Sequence, residues 1–289
     1  MRAELYLVLA AIFWGLNFHF AKFMMAESSY IEAATWRYVF AVVTLLLIGF
    51  KSLRAINFRH LSIKGIVLVG FVGLFGFNLL FFKGLNLSDS INASLLVNLN
   101  PIMTIMLASW LIGTKITRYH IIGAGISLSG VAYLLFQGDL SNVASLRFNY
   151  GDLLVFLAGI IFALYNVWIK MCKGQMSDMN FTTLTNAFCL FGFILIMPAQ
   201  AESITLDHSY KYWAWSLGIG TVGTALAYYF YNKGITMIGP EKASMYLNLV
   251  PLTAVLCGVC LGQTLYLYHI ISCIIILSGV YIAQRSVSV

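Results

Sequence analysis

Nine stretches of this chain contain no Asp, Glu, Lys or Arg: 5–21, 38–50, 65–82, 90–114, 119–138, 153–169, 179–201, 212–232 and 243–284. A helix that crosses a bilayer needs about 20 mostly apolar residues. Most of these stretches approach or exceed that length. The last is long enough for two helices, with a break at Gly262-Gln263. The second reaches it only if Arg37 is drawn into the helix. Of the 289 residues, 61% are hydrophobic and 9% charged. A soluble domain carries about 25% charged residues, so a water-facing surface could not be covered here. Composition therefore excludes soluble enzymes, disordered chains and secreted mini-domains, and the five cysteines form no paired framework. The pattern predicts an all-α, polytopic membrane protein of ten helices. These fall at about 4–24, 31–50, 64–86, 91–113, 119–137, 150–172, 179–200, 211–237, 242–263 and 266–284. The first is read as a span and not as a cleaved signal peptide, because no small-x-small site follows it.

Cations collect in cytoplasmic loops of membrane proteins. With both termini cytoplasmic, 12 of the 17 Lys and Arg fall on that side, and Lys22, Arg37, Lys83, Arg147 and Lys211 fall on the other. The basic run Lys51–Lys64 is then a cytoplasmic loop, not a nucleic-acid site.

The two halves of the chain match each other. Residues 83–101, KGLNLSDSINASLLVNLNP, share Lys-Gly, Ala-Ser, Asn and Pro with residues 233–251, KGITMIGPEKASMYLNLVP. HIIGAGISLSGV at 120–131 and HIISCIIILSGV at 269–280 are identical at eight of twelve positions. AAIFWGLNFHFAK at 10–22 aligns with AGIIFALYNVWIK at 158–170. The organisation expected is a five-helix repeat over 1–137, a connecting loop over 138–149 and a second repeat over 150–289. An odd number of spans per repeat makes the copies run in opposite directions. That is the inverted-repeat layout of secondary transporters, with a site between the repeats near mid-membrane.

The WGLNF segment with Lys22, WRY at 36–38, KGL…NASLL..LNPI and the two LSGV ends resemble the drug/metabolite transporter superfamily, EamA type. The resemblance spans nearly the whole chain. It implies ten helices around a central cavity, alternating access, and commonly export of amino acids or other small metabolites. One departure is Gly113-Thr114 and Gly262-Gln263, where family members often have Gly-Glu.

Several residues are candidates for the cavity wall. Pro101 and Pro251 lie inside apolar helices, where proline removes a hydrogen bond and strains the carbonyl four residues back. Asn98 and Asn248 sit beside those carbonyls, with Ser94 and Ser244 one turn earlier. The two faces read as hinge plus cavity wall, or alternatively as helix-packing contacts. Trp14, Asn17, Phe18 and Lys22 share one side of the first helix by i, i+3/i+4 spacing. Tyr165, Asn166 and Trp168 form the corresponding segment of the sixth. Asn78, Tyr228 and Tyr246 complete the expected substrate-binding set. Aromatic rings with amides suit a small, partly apolar solute. For Tyr228 an interfacial aromatic belt is the alternative. Lys22, Arg37, Lys83 and Lys233 are candidate gating or anion-attracting cations; the first three could instead pair with Glu27, Glu32 and Asp89, and snorkelling to the interface is the further alternative.

All ten acids fall in loops or at helix ends. A proton-coupled carrier commonly needs a buried carboxylate or His, so either His19 couples protons or transport is uncoupled facilitation or exchange, with His19 bonded to a neighbouring helix. Cys257-x-x-Cys260 lacks further ligands for zinc, and neither a metal nor a cofactor is expected. The function expected is a secondary transporter of small metabolites in the cell inner membrane, exporting amino acids, aromatic or apolar ones first. The alternative is an antiporter of anionic or phosphorylated metabolites or nucleotide sugars. An intramembrane enzyme or a channel is disfavoured by the absence of a catalytic cluster and by the repeat. The expected partners are a small-molecule substrate and the lipid bilayer. Oligomeric state stays open.

Overall fold

The computed structural model describes residues 2–54, 62–139, 147–200 and 204–285, apart from the side chains of Phe18, His19, Ala21, Lys22, Ser90 and Gln200. The basic run 51–64 and the 138–149 connection thus lie partly outside the described residues. Among the described residues ten helices form the fold: α1 Ala3–Met24, α2 Tyr30–Arg54, α3 Ile63–Leu85, α4 Ile91–Ile112 and α5 Arg118–Leu135, then α6 Tyr150–Cys172, α7 Asp178–Ile196, α8 210–238, α9 Pro240–Cys260 and α10 Leu267–Gln284. No described residue forms a strand. Seven of the ten are long and apolar enough to cross a membrane by length and composition: α2, α3, α4, α6, α7, α9 and α10. Large apolar side chains such as Leu47, Ile48, Trp110, Ile121 and Ile274 stand exposed on the outside of the bundle, as a lipid-facing surface requires.

The helix ends follow local chemistry. Asn149 and Asp152 form a reciprocal capping box at the start of α6, and Thr117 accepts the His120 N–H at the start of α5. α4 and α9 both end on a glycine with positive φ, Gly113 at 68° and Gly262 at 94°. In each case the next residue donates its N–H back into the last turns, Thr114 to Ala108 six residues back and Gln263 to Gly258 five residues back. This Schellman geometry needs a residue free of Cβ strain. α7 stops at Ile196, before Pro198, four residues short of the sequence expectation. Pro198 has no N–H with which to continue the α-helical ladder, and a 3-10 turn over Pro198–Gln200 follows.

Inverted repetition is visible in how the helices meet. α1 packs on α8 and α9, and α6 packs on α3 and α4. α2 meets α7, and α5 meets α10. The same glycines make the close approaches in both halves. A Cβ on Gly73 of α3 would lie 3.2 Å from Tyr165 of α6, and one on Gly223 of α8 would lie 1.5 Å from Oδ1 of Asn17 on α1. Gly84 meets Val155 of α6 as Gly234 meets Leu7 of α1. Irregular backbone recurs at matching places too. π-helical turns run over Leu68–Phe75 in α3 and Thr221–Leu226 in α8. α4 is interrupted at Asn98-Leu99, and α9 is 3-10 helical over Ser244–Leu249. Both interruptions come just before the proline, so Pro101 and Pro251 begin the following α-helical segment instead of kinking its middle. A first-turn proline has no intrahelical N–H to lose.

Candidate functional site

A cavity of about 260 Å3 opens between the two halves of the bundle. Small-molecule sites run from roughly 300 Å3 upward, so this cavity lies just under the small end of that range. Pseudo-symmetric pairs line it: Trp14 with Phe162, Asn78 with Tyr228, and Asn100 with Val250. The cavity therefore sits where the repeats face each other. From mid-helix it runs to the end of the bundle that carries the 25–29 and 86–89 turns. Met25, Phe82 and Leu85 lie at that rim. A second cavity of about 550 Å3 lies between α4, α5, α9 and α10, reaching Gln137, Gln263 and Tyr268. The two share Phe81, Leu85, Val97, Asn98 and Pro251 as a common wall.

The floor is aromatic. Trp14 meets Tyr228 and Tyr231 edge-on at centroid distances of 5.3 and 4.9 Å. Phe77 stacks on Phe162 at 4.5 Å. Below this layer a polar network closes the bundle toward the end that carries both termini. Asn166 Nδ2 donates to Asn100 Oδ1 and to Thr104 Oγ1, both at 3.0 Å. Asn100 Nδ2 donates to the Gly159 carbonyl at 3.0 Å. The Tyr165 hydroxyl donates to Asn232 Oδ1 at 2.7 Å, and Asn232 Nδ2 to Thr182 Oγ1 at 3.0 Å. Tyr165, Asn166, Thr182 and Asn232 are buried. These bonds tie α4, α6, α7 and α8 together, and buried polar groups left unpaired would cost more than the bonds stabilise.

The wall above the floor is organised by the π turn of α8. Asn17 Nδ2 donates to the Gly223 carbonyl at 2.8 Å. Arg37 Nε donates to Thr224 Oγ1 at 2.6 Å, and that hydroxyl donates to the Ile219 carbonyl, five residues back, at 2.8 Å. Asn78 Nδ2 donates to the Tyr38 hydroxyl and to the Leu74 carbonyl, at 3.0 and 2.8 Å. Arg37 is the only charged side chain among the described lining residues of the first cavity.

The expected site residues divide by place. Trp14, Asn17, Asn78, Asn98, Tyr228, Arg37 and Pro251 line the first cavity, and Ser94 lines the second. Asn248 is buried and donates to Ser127 Oγ of α5 at 2.8 Å, outside both lining sets. Asn98 Nδ2 reaches the Ser94 carbonyl at 2.7 Å, not that of Val97. Tyr165 and Asn166 belong to the closing network, while Trp168 and Tyr246 pack in the core. Pro101 is buried beside the network. Lys83 is exposed at the end of α3. Lys233 lies over the Tyr6 ring at 4.7 Å, away from the cavities. The side chains of Phe18, Lys22 and His19 lie outside the described residues. Glu32 and Asp152 are buried, yet both stay in first turns. Glu32 accepts from the Thr205 N–H and pairs with His208, and Asp152 accepts from Ser88, Asn92 and Asn149. The described lining residues include no carboxylate.

Sequence reasoning missed Phe77, Phe81, Asn100 and Phe162. Phe162 carried a signal, since it aligns with Trp14 between the repeats. Thr224 carried none, because a hydroxyl in an apolar helix reads as a packing residue until its partner from α2 is known.

The EamA-like transporter family model matches residues 1–136 and again 149–284. The chain belongs to the EamA-like transporter family. Among its relatives, the uncharacterized transporter YyaM of Bacillus subtilis is 27% identical over 277 residues, covering 95% of this chain and 90% of that protein. The uncharacterized transporter YetK of the same organism is 23% identical, covering 98% and 86%. An uncharacterized transporter of Archaeoglobus fulgidus is 25% identical over 294 residues, covering 99% of each chain. A solved crystal structure superposes with a TM-score of 0.82 at 19% identity, covering 98% of this chain and 96% of that one, and shares the fold. This family member is a multi-pass membrane transporter, and the family points away from an enzyme.

Proposed function

We propose that the chain is a secondary transporter that moves small metabolites, apolar or aromatic amino acids first, across the cell inner membrane by alternating access. The observation that carries this reading is the cavity on the pseudo-twofold axis, open at one end and closed at the other by the Tyr165–Asn232–Thr182 and Asn100–Asn166 bonds. Rings and amides in the lining match a solute with an apolar body and a polar head. With both termini cytoplasmic, as the cation bias supports, the open end faces outward. The repeats are 1–137 and 150–289, joined by 138–149. Their paired π turns and interrupted helices are the segments that change during the cycle, since such backbone concentrates at functional sites and in transporter half-helices. Trp14, Asn17, Asn78, Asn98 and Tyr228 contact the solute.

The test is uptake and exchange of radiolabelled amino acids by the full chain in proteoliposomes. Saturable flux that is accelerated by the same amino acid on the opposite side is expected. Flux that rises linearly with concentration, or none across the amino-acid panel, would remove the reading.

A further inference from the structure

We infer that Arg37 is the anion anchor of the central cavity and selects substrates that carry one carboxylate. The inference deepens the transport reading by naming the substrate's charged group, and it rests on that reading for the cavity's purpose.

Arg37 lies within the span of α2 and is only 9% exposed, yet it lines the first cavity. A guanidinium carries five N–H donors and stays charged at any working pH. Here Nε is used by Thr224 Oγ1 at 2.6 Å, and the two Nη groups make no hydrogen bond to a described residue. Among the described residues no carboxylate pairs with it: the ion pairs are Lys173–Asp178 and His208–Glu32. Glu32, the acid nearest in sequence on the same helix, is taken by the Thr205 N–H and His208. The Tyr38 ring, its centroid 5.4 Å from the guanidinium carbon, offsets only part of the cost of burying this charge without a counter-ion. Charged residues inside membrane segments mark solute paths for that reason.

The Nε contact leaves the Nη edge free and fixes its orientation. Thr224 is itself held by the Ile219 carbonyl through the π turn, so the guanidinium is presented by a built support and not by a mobile side chain. Carboxylates take two parallel N–H bonds from such an edge. The neighbouring lining is aromatic, with Trp14, Phe77 and Phe162 able to receive an apolar body. One guanidinium matches a single carboxylate. A phosphorylated metabolite, with two charges, would call for further cations, and the described lining supplies none.

The experiment measures equilibrium binding to the full chain in nanodiscs. The probes are radiolabelled phenylacetate and L-phenylalanine, with phenylacetamide and 2-phenylethylamine as counterparts that lack the carboxylate. At least one carboxylate should bind ten or more times tighter than its counterpart. Arg37→Gln should weaken that binding tenfold or more, Arg37→Lys should recover part of it, and Lys115→Gln at the opposite end should leave it unchanged. Size-exclusion profiles of both Arg37 variants report folding, and Arg37→Lys keeps the test alive if Arg37→Gln fails to fold. Equal binding of carboxylate and counterpart, full affinity in Arg37→Gln, or binding of neither carboxylate would overturn the inference. Proteoliposome flux separates the two readings. Carboxylate binding through Arg37 without any flux would retain the anchor and remove transport. Saturable flux of a solute unaffected by Arg37→Gln would do the reverse.

Discussion

Arg37 of α2 and Asn17 of α1 grip consecutive residues of the same π turn. Arg37 takes the Thr224 hydroxyl at 2.6 Å, and Asn17 takes the Gly223 carbonyl at 2.8 Å. Two helices of the first half thus fix the irregular turn of a helix in the second half. In the other direction, the π turn of α3 lies against α6 and α7. A π turn displaces backbone carbonyls from regular pairing, and in an apolar medium a displaced carbonyl needs another donor. Asn17 supplies one from outside the helix.

Gly223→Ala should destabilise the protein by about 1–3 kcal/mol, the usual cost of overpacking. The added Cβ would overlap Asn17 Oδ1 at 1.5 Å, and a shift of Asn17 would break its bond to the turn. Gly73→Ala should cost less, because its Cβ would meet Tyr165 at 3.2 Å. Thermal unfolding of both variants in detergent gives the order, and a larger loss at Gly73 would contradict this account.

Asn98 and Asn248 occupy matching positions in the repeats but should respond differently. Asn98 lines both cavities, so Asn98→Leu should lower flux about tenfold, the equivalent of ~1.4 kcal/mol, with little change in stability. Asn248 holds Ser127 of α5. Asn248→Leu should leave that buried hydroxyl unpaired and lower stability by about 1–3 kcal/mol. Flux and unfolding measured side by side on the two variants check the split. Identical behaviour would place both residues in one role.

Both termini should be on the cytoplasmic side, opposite Asp139. The 12-to-5 distribution of cations motivates this. Reporter fusions at the C-terminal end and after Asp139 should give opposite compartments. Signals from the same compartment would count against the inverted repeat as well.

Glu27 accepts from the Ser209 hydroxyl at 2.7 Å and from the Ser209 N–H at 3.1 Å, and these bonds hold its carboxyl below the usual carboxylate range. A depressed folded pKa contributes stability that is present above the unfolded value, about 4.3, and is lost as pH falls through the folded value. Glu27→Gln should therefore melt slightly lower than wild type from neutral pH down to about pH 5, with the gap closing below about pH 4. The group is solvent-exposed, so the gap is small. Melting curves across that range measure it, and a gap that widens on acidification would show that the Ser209 contact does not favour the carboxylate.

Much of this protein was legible from its sequence. Charge-free stretches marked most of the spans because an ionised group in the bilayer core is costly, and the span that holds Arg37 was legible only in part. The matched segments at 83–101 and 233–251 located the repeat, and the paired Asn-Pro steps marked where α4 and α9 break. Trp14, Asn17, Asn78 and Asn98 were recognisable as polar or aromatic positions in those helices. Only the tertiary structure decided which of them share a space. It separated Asn98, on the cavity, from Asn248, tied to Ser127, although the two stand in equivalent sequence positions. It brought Arg37 to Thr224 across 187 residues of chain. Periodicity reports what one helix presents on each of its faces. Which neighbour meets that face, and whether it leaves a gap there, depends on side chains distant in sequence, and no local pattern records that.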